Sequence, residues 1–104
     1  MAYIGKVNIT SEWTKLEDLI KSQVTGQDSF SFDEEKIYNI QVDLAGTLIF
    51  GAQFCNSASE PTESDAGEHL EEDALGIYQP ETGNYLWVKT RGNTTRAKVS
   101  VSEQ

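Results

Sequence analysis

The chain has one cysteine, one histidine and two prolines in 104 residues, and it contains no long apolar run. A single thiol, Cys55, closes no disulfide within the chain, and with His69 as the only imidazole there is no Cys/His zinc set. Cations are scarce as well: 8 Lys and Arg stand against 17 Asp and Glu, a net charge of −9. That balance argues against nucleic-acid phosphates or an anionic membrane surface as the main partner, because both call for clustered Lys and Arg. Nothing approaches the roughly eighteen apolar residues of a membrane-spanning helix, and the first residues lack a basic segment followed by an apolar one. The chain therefore reads as a soluble product of a cytoplasm. Hydrophobic residues make up 38%, lean but sufficient for one core, and the length is too short for two.

What is present is mostly period-two patterning. Residues 3–9 alternate Tyr3, Gly5, Val7 and Ile9 against Ile4, Lys6 and Asn8, the pattern of a half-buried strand. Over residues 11–24 the period lengthens, and Trp13, Leu16, Ile20 and Val24 form a helical stripe with Leu19 beside it. Thr10 or Ser11 is placed to cap this helix, Glu12 suits its positive end, Glu17 and Lys21 form an i,i+4 pair, and Gly26 ends it. From residue 29 onward the pattern is again β. Phe30 and Phe32 alternate with serines and predict a hairpin with residues 37–42, and residues 47–54 place Leu48, Phe50, Ala52 and Phe54 on one candidate core face. Residues 74–79 and 85–90 flank Pro80 and Gly83 and are expected to pair antiparallel. Residues 96–102 read as an edge or a half-exposed strand. The expectation is a single mainly β domain: a small antiparallel β-sandwich or barrel of six to seven strands, with one N-terminal amphipathic helix across an open end or beside a sheet.

Between residues 56 and 73 lies a polar loop with seven carboxylates, Glu60, Glu63, Asp65, Glu68, Glu71, Glu72 and Asp73. Calcium takes six to eight oxygen ligands, yet the spacing is not that of a helix–loop–helix calcium loop, so a solvated loop of mutually repelling charges is the reading adopted. His69 has carboxylates nearby but no nucleophile in an activating context, and Cys55 reads as a small apolar residue at a strand end. No catalytic set, cofactor site or metal site is predicted, and an enzyme is not the leading class. The feature left is an aromatic row: Tyr85, Trp87, Lys89 and Arg91 fall on one face of a strand whose other face carries Leu86 and Val88. That row is either covered by the helix, a protein contact, or a sugar-stacking face.

Taken in order, the segments resemble small structural proteins of tailed bacteriophages. The resemblance rests on W-x-K-L-E-D-L-I from Trp13, Y-x-I-Q from Tyr38, Phe54-Cys55-Asn56-Ser57 followed by Pro61 and Gly67, and Y-L-x-V from Tyr85 before a short C-terminal strand. It spans most of the chain and holds no catalytic signature, and the acidic loop is richer in carboxylates than that pattern. It implies a non-enzymatic virion component made in the host cytoplasm, of the capsid-decoration, head-fibre-base or tail-associated kind. Such a component would bind capsid or tail neighbours as a homo-oligomer, where many weak contacts add. Trp13, Leu16, Ile20, Tyr85 and Trp87 are the contact candidates. The alternative is a carbohydrate-binding module with Tyr78, Tyr85 and Trp87 stacking on sugar rings.

Overall fold

The computed structural model describes residues 2–43, 51–63, 66–70, 75–90 and 96–104. The alternation in the first segment forms β1 (Ala2–Thr10), with Val7 and Ile9 buried. A two-residue strand β2 (Thr14–Lys15) leads directly into α1 (Leu16–Gln23). Then follow β3 (Tyr38–Asp43), β4 (Ala52–Ser57), β5 (Glu68–Leu70), β6 (Leu75–Tyr78), β7 (Tyr85–Thr90) and β8 (Arg96–Glu103).

The strands form two antiparallel sheets of four, in the orders β1-β8-β3-β6 and β2-β7-β4-β5. Their pairing is nested: β4 with β5, β3 with β6, β2 with β7 and β1 with β8. A single antiparallel ribbon, with its tip at β4–β5, is thus rolled so that successive rungs fall in alternate sheets. The β3–β8 and β4–β7 pairings then join the rungs within each sheet. This is the jelly-roll form of the β-sandwich. The inward residues of both sheets and of α1 make one core, in which Val42, Val88, Val99 and Val101 are fully buried. Each such side chain contributes about 1.5–3 kcal/mol through burial.

The rolling explains where the structure departs from the sequence reading. Among the described residues there are eight strands rather than six or seven, because β2 and β5 are too short to show a period. The segments at 74–79 and 85–90 do not form a hairpin. In a jelly roll β6 pairs with β3 and β7 with β4 and β2, so residues 79–84 cross between sheets. Nor is β8 an edge. It lies between β1 and β3, with Ala97, Val99 and Val101 at 0% exposure.

The helix is shorter than residues 11–24. Thr14 and Lys15 pair with Val88 and Trp87 instead, since an unpaired strand edge on β7 competes for their backbone groups. Lys15 stands at the N-cap with extended backbone and no side-chain cap, while the Thr10 hydroxyl accepts the N–H of Glu12 at 3.4 Å. Val24 is already extended, so the helix stops two residues before Gly26. Glu17 does not pair with Lys21; it accepts the N–H of Phe32 at 3.1 Å, and Lys21 lies 3.9 Å from Asp18.

No strand forms at residues 29–32. Phe32 instead meets Phe30, Tyr38 and Tyr78 edge-to-face, with centroids 4.9, 4.8 and 5.1 Å away, and the cluster packs on the core. The 56–73 segment is not loop throughout, because β5 lies in it and pairs with β4. Gly67 makes that approach possible: its φ is +82°, and a Cβ there would run into the Phe54 carbonyl. Ala52 and Phe54 occupy the core as expected, whereas Leu48 and Phe50 lie outside the described residues.

The helix is placed by the edge of the first sheet. It packs against β1 and β7, closing the side of the sandwich where β1 and β2 are the outer strands. Gly5 makes room for it, since a Cβ there would come within 2.6 Å of a Val24 methyl. The Gln23 amide then completes the β1 edge: its oxygen accepts the N–H of Asn8 at 2.8 Å, and its nitrogen donates to the Asn8 carbonyl at 2.9 Å.

Candidate binding face

Alternation along β7 sends Leu86, Val88 and Thr90 into the core and Tyr85, Trp87 and Lys89 to the outer side of the second sheet. The neighbouring strands add to that side in register. Lys15 and Cys55 flank Trp87, Ser57 lies opposite Tyr85, and Gln53 lies opposite Lys89. Because β2 is a strand, Trp13 falls on the same side as Lys15, two residues away.

The lysines lie against the rings. The Lys15 ammonium is 3.8 Å from the Tyr85 centroid and 5.5 Å from that of Trp87, and the Lys89 ammonium is 5.6 Å from the Trp13 centroid. Contacts of this kind contribute about 0.5–1 kcal/mol when exposed and more once desolvated. Backbone carbonyls of the following segment fix the indoles: Trp87 Nε1 donates to Ser57 O at 3.1 Å and Trp13 Nε1 to Glu63 O at 3.3 Å. Gln53 is buried by the same segment and donates to the Ala66 carbonyl at 3.3 Å. The result is a rigid face of three aromatic rings interleaved with two cations, on a chain that is otherwise strongly acidic.

Of the five contact candidates, the structure brings Trp13, Tyr85 and Trp87 together. Leu16 and Ile20 are not on that face; both have 0% exposure and belong to the core, because the helix turns its apolar stripe inward between the sheets. The helix does not cover the aromatic row, and Tyr85 stays 39% exposed. Tyr78, grouped with Tyr85 and Trp87 as a sugar stacker, is a core residue of the opposite sheet, only 7% exposed. Arg91 lies outside the described residues.

His69 sits in a strand rather than in an exposed loop, opposite Gln53 and half-buried. Cys55 is half-buried beside Trp87, on the outer side rather than in the core. Of the acidic loop, residues 64, 65 and 71–74 lie outside the described residues; among those described, no three His, Cys, Asp or Glu side chains gather to hold a metal ion. No helix among the described residues is long and apolar enough to cross a membrane.

Lys15 was hidden in the sequence because its segment has a helical period. The Trp13-x-Lys15 alternation is the signal that reveals it once a strand is considered. Comparison with protein-family models, curated proteins and solved structures finds no match to the chain.

Proposed function

We propose that the chain is a non-enzymatic structural protein of a tailed-bacteriophage virion, made in the host cytoplasm, which docks as an oligomer on capsid or tail neighbours through the outer face of the β2-β7-β4-β5 sheet. The observation that carries this reading is the preorganised face of Trp13, Lys15, Tyr85, Trp87 and Lys89. Trp and Tyr dominate the energetics of protein interfaces, and rings already held by hydrogen bonds lose little freedom on binding. The jelly roll supports the same class, since viral capsid domains use it, although a fold alone does not fix a function. The element order that resembles phage structural proteins adds to this.

A carbohydrate-binding module is the second reading, favoured by the exposed Tyr85 ring and by the use of jelly rolls in lectins. Against it, the Lys15 ammonium lies over that ring at the distance a stacked sugar would need.

The test is co-sedimentation of the purified chain with virions stripped of it, together with light scattering. The virion reading expects a discrete oligomer that enriches on particles, with Trp87→Ala weakening capture about thirtyfold, the size of an interface hot spot of about 2 kcal/mol. A strict monomer that never enriches removes the reading. Retention on a glycan array, with or without calcium, transfers the face to the second one.

A further inference from the structure

A second site lies on the side of the sandwich away from α1. Where β1 and β2 are the outer strands, the helix fills the gap between the sheets with Leu16 and Ile20. On the other side the outer strands are β6 and β5, and no helix among the described residues covers them. There the sheets part around a cavity of about 470 Å³. That volume falls within the about 300–1,000 Å³ of small-molecule sites.

The residues around this cavity break the inward pattern in three strands at once. Alternation points Ala52, Phe54 and Asn56 of β4 to the inside, since Phe54 lies opposite the buried Val88 and Asn56 opposite the buried Leu86. Glu68 of β5 lies opposite Phe54, and Gly76 of β6 lies opposite the buried Ile40, so both occupy inward positions too. A closed core would carry apolar side chains at Asn56, Glu68 and Gly76; instead it has an amide, a carboxylate and no side chain. All three line the cavity, together with the rings of Phe54 and Tyr78, each 7% exposed, and with Ile40 and Leu86. Departures from the pattern that meet at one cavity mark a built site, because elsewhere the same strands keep the rule.

The lining selects an amine. Glu68 is the one charged side chain among the described residues that line the cavity. Neither its carboxylate nor the Asn56 amide bonds to another described residue, so both keep acceptor oxygens for a ligand. A fatty acid or another anion meets the wrong charge here, the more so on a chain of net charge −9. An apolar ring suits the aromatic and aliphatic walls, and an ammonium on that ring finds its partner in Glu68.

We propose that this cavity binds a small organic cation made of one apolar ring and an amino group, with the ring between the sheets and the ammonium at Glu68. The site is separate from the aromatic face of the second sheet and does not depend on the docking reading.

The test is a titration of the isotope-labelled chain with phenethylamine, phenethyl alcohol, 3-phenylpropionate and methylamine at matched ionic strength, followed by backbone amide shifts. Saturable shifts at Asn56, Gly67, Gly76 and Gln79 are expected with phenethylamine, weaker ones with the alcohol, and none with the carboxylate or with ringless methylamine. Glu68→Gln should weaken phenethylamine about two- to fivefold, the range of a partly exposed ion pair, and leave the alcohol unchanged. Gly76→Val places a strand-favouring side chain in the cavity and should abolish binding of both ring compounds. Should that variant fail to fold, Asn56→Phe fills the same space from the opposite sheet. Methylamine or 3-phenylpropionate acting as strongly as phenethylamine overturns the site, as does retained binding in the filled variant or the absence of saturable shifts with every ring compound. Phenethylamine binding unchanged by Glu68→Gln overturns the choice of an amine. Particle capture through the Trp87 face is expected to be the same with and without phenethylamine, and capture lost on its addition would overturn the separateness of the two sites.

Discussion

The two edges of the β1-β8-β3-β6 sheet solve the same problem in different ways. An edge strand has a row of backbone donors and acceptors facing outward, which invites pairing with another chain. At β1, nine residues long, that row is met from within: α1 lies alongside, Gly5 admits Val24, and the Gln23 amide takes both the N–H and the C=O of Asn8. At β6, four residues long, no described element lies beyond the strand, and two large apolar side chains, Leu75 and Ile77, are 59% and 69% exposed on the outer side. Behind that edge the sheets part around an opening of about 470 Å³ lined by Ile40, Phe54, Tyr78 and Leu86 among others. One edge is closed by chemistry and the other is protected chiefly by being short. The helix is therefore a structural part of the sandwich, and what it protects is the longer of the two edges.

That contrast breaks most visibly at the closed side. Leu16 anchors the first turn of α1 and has 0% exposure, so Leu16→Ala leaves a cavity where the helix meets both sheets. A loss of about 2–5 kcal/mol is expected from denaturant unfolding with an unchanged m-value. A loss under about 1 kcal/mol would mean that the helix is an appendage and that the closed edge does not depend on it.

A smaller effect isolates the edge cap. Gln23→Ala removes both bonds to Asn8 while leaving the apolar stripe of the helix in place. Both bonds are solvent-exposed, so about 1 kcal/mol is expected, along with concentration-dependent association seen by light scattering as the β1 edge opens. Unchanged stability with no association would show that water replaces the amide at no cost.

Much of this arrangement was legible in the sequence, and the misses share a physical cause. Long alternating runs such as residues 3–9, 38–43 and 85–90 declared their strands and their inward faces, because burial on one side of a sheet imposes period two. The sequence also pointed to the aromatic row at Tyr85 and Trp87. Non-local pairing was not legible. Thr14 and Lys15 carry a helical period yet serve as a strand, because β7 offers them partners some seventy residues away in the chain. Phe30 and Phe32 carry strand propensity yet form an edge-to-face cluster, because Glu17 holds the backbone of Phe32.

The smallest effect on stability, and the one that sharpens the comparison, lies at the open edge. Ile77 points outward from β6 opposite Asn39, while its neighbours Gly76 and Tyr78 face the core opposite Ile40 and Tyr38. Replacing an exposed side chain removes little burial, so Ile77→Ser should shift stability by no more than about 0.5 kcal/mol. If the strand's shortness is what keeps this edge monomeric, the variant and the parent should behave alike in light scattering across micromolar concentrations. If the apolar pair instead holds copies together, Ile77→Ser should reduce the apparent mass while Gln23→Ala raises it. Opposite responses at the two edges would show that the open one already serves a contact, whereas no change at β6 would show that this edge holds no copies together.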